Sequence, residues 1–266
     1  AKGWGSSMMI IKDVILGVNN YQGRLYISEE NAVLKRFGNA FGQAYTRFLD
    51  LQKAEAQAME ARIEAALERV RSMSMIMRAT AEIGEVIFLL YKELGLLDFS
   101  LDRSIIIIME PDQSVMTYWI AGPEGLLSRN GFRVPNFDHA FNRALFEHFN
   151  KKTERWTYLL AGAEKKAWDD VGFTESDLRL LPDGVKESMV NFGDVHFTLS
   201  SDDYGTLLIS SALPLTDFHA NIISRFSKTF NQTYIRFLDL QRAEAQAREA
   251  QIEAALERVR GKAMAM

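Results

Sequence analysis

The residues able to do chemistry in this chain are few and scattered. There are four histidines (His139, His148, His196 and His219) and no cysteine. Without a thiol there is no disulfide, no thiolate metal site, no cysteine nucleophile and no thioether-linked haem or bilin. His139 and His148 share a predicted helix but, at about 100° per residue, stand about 180° apart on it. They cannot grip one ion. No H-x-x-x-H or H-E-x-x-H pair occurs, so no metal site is expected, and no resident cofactor. G-x-G-x-x-G and the P-loop, which cradle phosphates, are missing, as is the G-x-S-x-G of a hydrolase serine. Asp169-Asp170 has the look of a surface helix end, and Asp202-Asp203, after Ser200-Ser201, that of turn chemistry. Neither pair has a positioned partner for acid–base work.

The middle of the chain is richer. Tyr118, Arg133, His139, Arg155, Trp156, Tyr158 and His196 combine flat rings with hydrogen-bond donors. Brought together between a sheet and a covering helix, they would make an apolar pocket with a few polar groups, the usual form of a small-ligand site. Arg133 and Arg155 suit a carboxylate or phosphate. The competing reading is an aromatic core with rim arginines. Strand alternation limits the pocket: Tyr118 and Trp119 must face opposite ways, as must Arg155 and Trp156, so only one of each pair can line it.

The elements that would position these groups follow from periodicity. Thr80–Leu97 has helical apolar spacing, with Gly95 marking its end. Arg103–Glu110 is a β-branched buried strand, and Val115–Ala121 pairs with it in a hairpin. Gly122–Val134 reads as loop and Phe137–Phe149 as an amphipathic helix. Arg155–Leu160 is strand-like, followed by short helices at Glu164–Asp170, Ser176–Leu181 and Gly184–Ser188. Met189–Leu199 and Tyr204–Ser211 form a second hairpin, and a closing helix starts near Phe218 with Asp217 as its cap. Near the start, Met8–Val18 reads as one apolar strand. Hairpins imply an antiparallel sheet, with the inserted helices on one face and the first and last helices on the other.

An internal repeat frames this body. Phe41–Arg71 and Phe230–Arg260 differ only at Gly42/Asn231, Ala44/Thr233, Thr46/Ile235, Lys53/Arg242, Met59/Arg248 and Arg62/Gln251. Two copies are too few for a solenoid; they suggest one module whole and one as a remnant. The expected organisation is therefore 1–30 as the tail of a preceding module, 31–78 as a first long helix, 79–217 as the body, and 218–266 as a second long helix. Both copies are rich in Ala, Glu, Gln, Arg and Leu, strong helix formers. A narrow apolar stripe on so long a helix calls for a partner helix, most simply the same helix of a second chain in a parallel coiled coil. The expected dimer seam is Phe41, Phe48, Ile63, Leu67, Val70 and Met77, with Phe237, Ile252, Leu256 and Val259 in the second copy. Ala54, Ala56, Ala58 and Ala61 between them make a soft stretch.

At 266 residues, 47 % hydrophobic and 25 % charged, the composition is that of a folded soluble protein, and the order of strands and helices makes the expected fold class α+β. A net charge of −4 offers no global field for nucleic acid. Apolar runs such as Ile105–Met109 fall far short of the roughly 20 residues of a membrane span. Absence of cysteine suits a reducing compartment, and the expected location is cytoplasmic.

The element order of 79–229 resembles a GAF or PAS-like sensor domain. RFLDLQKAEAQAMEARIEAALERVR and RFLDLQRAEAQAREAQIEAALERVR resemble the signalling helices that join such sensors in multidomain bacterial regulators. The resemblance implies an antiparallel sheet with inserted helices and a non-catalytic sensory segment. That segment would relay a ligand- or partner-induced change to a kinase, phosphatase or cyclase. GAF domains bind cyclic nucleotides, tetrapyrroles or small metabolites, and some bind nothing; the NKxnFx3DE motif associated with cyclic nucleotides is absent here. The alternatives are a structural dimerisation module and an enzyme with an unfamiliar site between Tyr118 and His196.

Overall fold

The computed structural model describes the backbone of residues 3–12, 14–79 and 82–264, and their side chains except at 244, 255 and 257–264. Thr80 and the side chain of Val259, used above for a helix start and a seam, lie outside the described residues, as does Met266, the expected end of the second long helix. The chain divides into two compact units, Ala1–Arg62 and Ile63–Met266. The division falls inside the first long helix, not at its ends.

In the first unit the apolar stretch expected as one strand is a hairpin. Gly5–Ile11 (β1) and Val14–Asn20 (β2) pair antiparallel, and Lys12 enters the turn at a positive φ of 47°. Helix α1, Ser28–Met75, runs from this unit into the second. Its start is fixed by charge: Arg24 donates to both oxygens of Glu30, at 2.8 and 2.6 Å, and the Ile27 amide adds a third bond at 3.0 Å. These bonds, Arg24's first, hold the Glu30 carboxyl down at about 2. The strands approach α1 closely, since a β-carbon at Gly38 would collide with Met9 and one at Gly42 with Ile11.

The second unit begins where α1 turns its stripe inward. Ile63, Ala66, Leu67, Val70 and Ser74 are buried on one face at helical spacing, and Met77, just past the helix end, is buried too. Helix α2, Ile83–Leu96, does not end at Gly95. It closes in a Schellman turn with Asp98 at φ 64°, where the Phe99 amide donates to Leu94 O and that of Asp98 to Gly95 O.

The remaining elements are β3 (Arg103–Met109), β4 (Val115–Gly122), β5 (Gly125–Leu126), β6 (Phe132–Pro135), α3 (Ala140–Asn150), β7 (Trp156–Leu160), α4 (Gly162–Glu175), a 3-10 turn (Asp177–Leu180), α5 (Asp183–Asn191), β8 (Val195–Ser201), β9 (Gly205–Ser211) and α6 (Asp217–Met264). The sheet is antiparallel in the order β5-β4-β3-β9-β8-β7, with β6 also on β4. The stretch expected as loop thus supplies two short strands. Met189–Asn191 close α5 instead of opening β8. Helix α6 is capped by Thr216, whose hydroxyl accepts from the His219 amide, and Asp217 is the first-turn acid.

The fold is α+β, and its sheet is buried on both faces. That is why β3 reads as an unbroken isoleucine run: Ile107 faces one core and Ile106 the other. One face packs under α3, α4 and α5 around Tyr118, Phe141, Leu145, Trp168, Leu199 and Leu208. The other carries α2 against β3 and β4, and α6 against β8 and β9. Among the described residues no helix is long and apolar enough to cross a membrane.

Two predictions follow from burial. Phe226 is fully buried and Phe37, its counterpart in the repeat, is exposed. Phe226→Ala should cost about 3–5 kcal/mol and Phe37→Ala about 0.5 kcal/mol or less, measured by urea unfolding. His219 packs against Phe99 with its ring tilted 59° and the centroids 4.5 Å apart, and burial lowers its pKa. The unfolded chain therefore takes the proton first, and this stabilisation, present above the ordinary imidazole value, is lost as pH falls through the depressed one. The melting temperature of His219→Phe should fall less than that of the parent between pH 7 and pH 5.

Candidate functional site

A cavity of about 90 Å³ lies between the sheet and the inserted helices. Apolar side chains make most of its wall, among them Ile105, Ile120, Phe141, Trp168, Phe197 and Leu208. Strand alternation aims Tyr118 and Phe197 into it while Trp119 and His196 face the helices α2 and α6. The local sequence fixes this: β4 alternates Met116, Tyr118, Ile120 toward the cavity side, in register with Met109, Ile107 and Ile105 of β3.

Two polar clusters touch the cavity. Asp102, Arg103 and Ser210 lie at the start of β3 and the end of β9. Arg103 is buried and donates to both oxygens of Glu124, at 2.7 and 3.1 Å. Its guanidinium holds the Glu124 carboxyl below the usual range, whereas burial pushes that of Asp102 up. The second cluster is Lys165 and Asp169, one turn apart on α4. Lys165 Nζ donates to Asp169 Oδ2 at 2.5 Å and to the carbonyls of Met189 and Val190 at 3.0 and 3.1 Å. An ammonium has three donors, and all three are used. Lys165 thus caps the C-terminal end of α5. Burial pushes the Asp169 carboxyl up, against the opposing pull of Lys165. Lys165, Asp169 and Phe173 also line a second groove, of about 510 Å³, so this ion pair borders both spaces.

Tyr118 is a cavity-lining group with a weakly satisfied donor. Its ring is buried, and among the described residues its hydroxyl reaches only the thioether of Met116, at 3.8 Å, a weak acceptor. Burial raises its pKa, so it is a neutral phenol.

Of the seven residues proposed from sequence for a pocket, only Tyr118 lines this cavity. His139 is buried but serves as the N-cap of α3: Nδ1 accepts from the Phe141 amide at 3.1 Å and Nε2 sits 3.0 Å from Glu164 O. Trp156 stacks on His148 at 4.2 Å and bonds Ser201. The Tyr158 hydroxyl bonds Glu164, and burial together with that carboxylate pushes it up to about 12. Arg133 is exposed and paired with Glu110 at 2.9 Å. Arg155 is exposed and His196 lies half-buried on the far face of β8. The two arginines therefore do not converge on a ligand. Asp169, expected at a surface helix end, is largely buried in mid-helix. Lys165 was missed, although it lies on one α4 face with Trp168 and Gly172, a stripe readable at i, i+3 and i+7. Asp202 bonds Ser227 at 2.5 Å, and Asp203 pairs with Lys152 and Asn231.

The expected dimer seam separates into two groups. Ile63, Leu67, Val70, Met77 and Phe237 are buried within their own unit, covered by the chain itself. Phe41, Phe48, Ile252 and Leu256 are exposed.

No family description matches this chain, and no curated protein matches it. Two similar solved structures are a methyl-accepting chemotaxis protein, residues 122 to 287, and the chromophore-binding domain of an unusual bacteriophytochrome from R. palustris. The first is 16 % identical with a TM-score of 0.40, over 66 % of this chain and 98 % of that one. The second is 11 % identical with a TM-score of 0.42, over 70 % of this chain and 63 % of that one.

Removing a buried charge strands its partner. Lys165→Met should therefore cost about 3 kcal/mol, read by urea unfolding, and adding Asp169→Leu should recover part of the loss.

Proposed function

We propose that this chain is a sensory and relay segment of a bacterial signal-transduction protein, built around a small-molecule module of the GAF or PAS kind. The observation that carries the reading is the apolar cavity between the sheet and the inserted helices, with Tyr118 in its wall and a buried hydroxyl whose acceptor is the weak thioether of Met116. The ligand class it fits is a compact, mainly apolar molecule with one hydrogen-bond acceptor. Size limits the ligand, because an apolar cavity of about 150 Å³ accommodates benzene and the space of about 90 Å³ here takes fewer heavy atoms. The segment is non-catalytic in this reading.

The relay rests on the two-faced sheet. A ligand on the α3–α5 side presses on strands whose alternate side chains pack under α2, α6 and the distal part of α1. A ligand shifts that packing only by its differential affinity for two arrangements. The helices would pass the change to an output domain such as a kinase, phosphatase or cyclase. Pairing of two chains in the cytoplasm belongs to the same proposal. Its remaining contact surfaces include Phe41 and Phe48.

A second reading, a structural module without a ligand, is favoured by the small cavity volume. Thermal shift and native mass spectrometry with a panel of small apolar ketones, ethers and phenols separate the two. A ligand at about 100 times its Kd adds about 2.7 kcal/mol, a rise of roughly 5–10 °C for a domain of this size. Tyr118→Phe should leave the unliganded stability within about 0.5 kcal/mol and weaken binding about 3- to 10-fold. Equal binding by Tyr118→Phe, or no shift with any panel member, contradicts the sensor reading.

A further inference from the structure

One helical sequence occurs twice and meets two different surroundings. In the first copy Ile63 and Leu67 are 1 % and 4 % exposed. Two ion pairs tie that stretch to the rest of its unit. Glu64 accepts from Arg225 of α6 at 2.6 Å, and Arg69 grips both oxygens of the buried Glu93 of α2 at 2.6 Å each. The same residues recur in the second copy as Ile252, Glu253, Leu256, Arg258 and Val259. There Ile252 and Leu256 are 47 % and 53 % exposed.

Helix propensity does not require this recurrence. Ala, Glu and Arg alone would keep α6 helical, and exposed Ile and Leu at i and i+4 cost solubility without a covering surface. The charged residues recur with the apolar ones, at the same spacing. The other half of the repeat shows the complementary pattern. Phe226, Phe230, Tyr234 and Phe237 are buried by the body of their unit, whereas Phe37, Phe41, Tyr45 and Phe48 are exposed beside a lone hairpin. Each copy thus has an aromatic half suited to a body on its N-terminal side and an aliphatic half suited to one on its C-terminal side.

We infer that the Ile252–Val259 stripe of α6 is a docking surface for a further module of the type formed by residues 76–264. The occupant is defined by chemistry visible in the first copy. It presents an apolar trough between its first and last helices, an arginine opposite Glu253 and a sequestered carboxylate opposite Arg258. A parallel coiled coil between chains also covers isoleucine and leucine. It does not account for the recurrence of the glutamate and arginine that, in the first copy, reach Arg225 and Glu93.

The absence of native cysteine makes the test clean. Single variants Ile252→Cys and Ile63→Cys are made in the present chain and in a chain extended after Met264 by a second copy of residues 76–264. Thiol labelling of Ile252→Cys should be fast in the present chain. In the extended chain it should slow at least about ten-fold, toward the rate of Ile63→Cys, as a covered site opens only by local unfolding. Hydrogen exchange over 249–260 in the cysteine-free chains gives the same comparison without the substitutions, and a cooperative melt of the added copy shows that it folds. Undiminished labelling and exchange beside a folded added copy overturn the inference. So does protection in the present chain that grows with concentration, which would assign the stripe to a seam between chains. In the extended chain Glu253→Arg should restore fast labelling, and reversal of the added copy's counterpart of Arg225 to Glu should slow it again.

Discussion

Burying a sheet on both faces constrains every strand residue at once. A strand covered on one side can be apolar at alternate positions, but β3 has no polar face to give, and its four consecutive isoleucines divide between two cores. The inserted helices and Tyr118 belong to one core; α2, α6 and the distal stripe of α1 belong to the other. Neither core can be repacked without moving backbone that the other shares, because protein interiors are close-packed. This coupling ties the packing on one face of the sheet to that on the other.

The ends of the long helices depend on the same constraint. Ile63, Leu67 and Val70 of α1 are buried in the second unit, and the Arg69–Glu93 and Glu64–Arg225 pairs to α2 and α6 set the register in which they lie. A surface ion pair contributes little by itself. The buried oxygens of Glu93 make its pair more consequential, since an unpaired carboxylate there would be stranded. Helix α1 therefore serves as both a connecting element and a wall of the second unit.

Much of the fold was legible because it is written in local periodicity. Apolar spacing located α2, the isoleucine run located β3, and turn residues located both sheet hairpins. The division of helices between the two sheet faces followed from hairpin connections. The misreadings have local causes too. Asp98 takes the left-handed turn expected of Gly95, and Lys12 breaks a run that looks continuous. The site was less legible. His139 and Arg133 have the right chemistry for a ligand, but one caps a helix and the other pairs on the surface, and nothing in their sequence neighbourhoods marks the difference. Ile63 and Ile252 make the point sharply: nearly identical sequence, opposite burial, decided by what lies beside each helix.

The most direct test of the account asks whether the two faces of the sheet communicate. Hydrogen exchange is measured across the chain with and without a ligand that fills the Tyr118 cavity. The account predicts changed protection in residues 63–75 of α1 and 217–237 of α6, on the face away from the ligand. A change confined to α3, α4 and α5, with those helices untouched at saturating ligand, would contradict it.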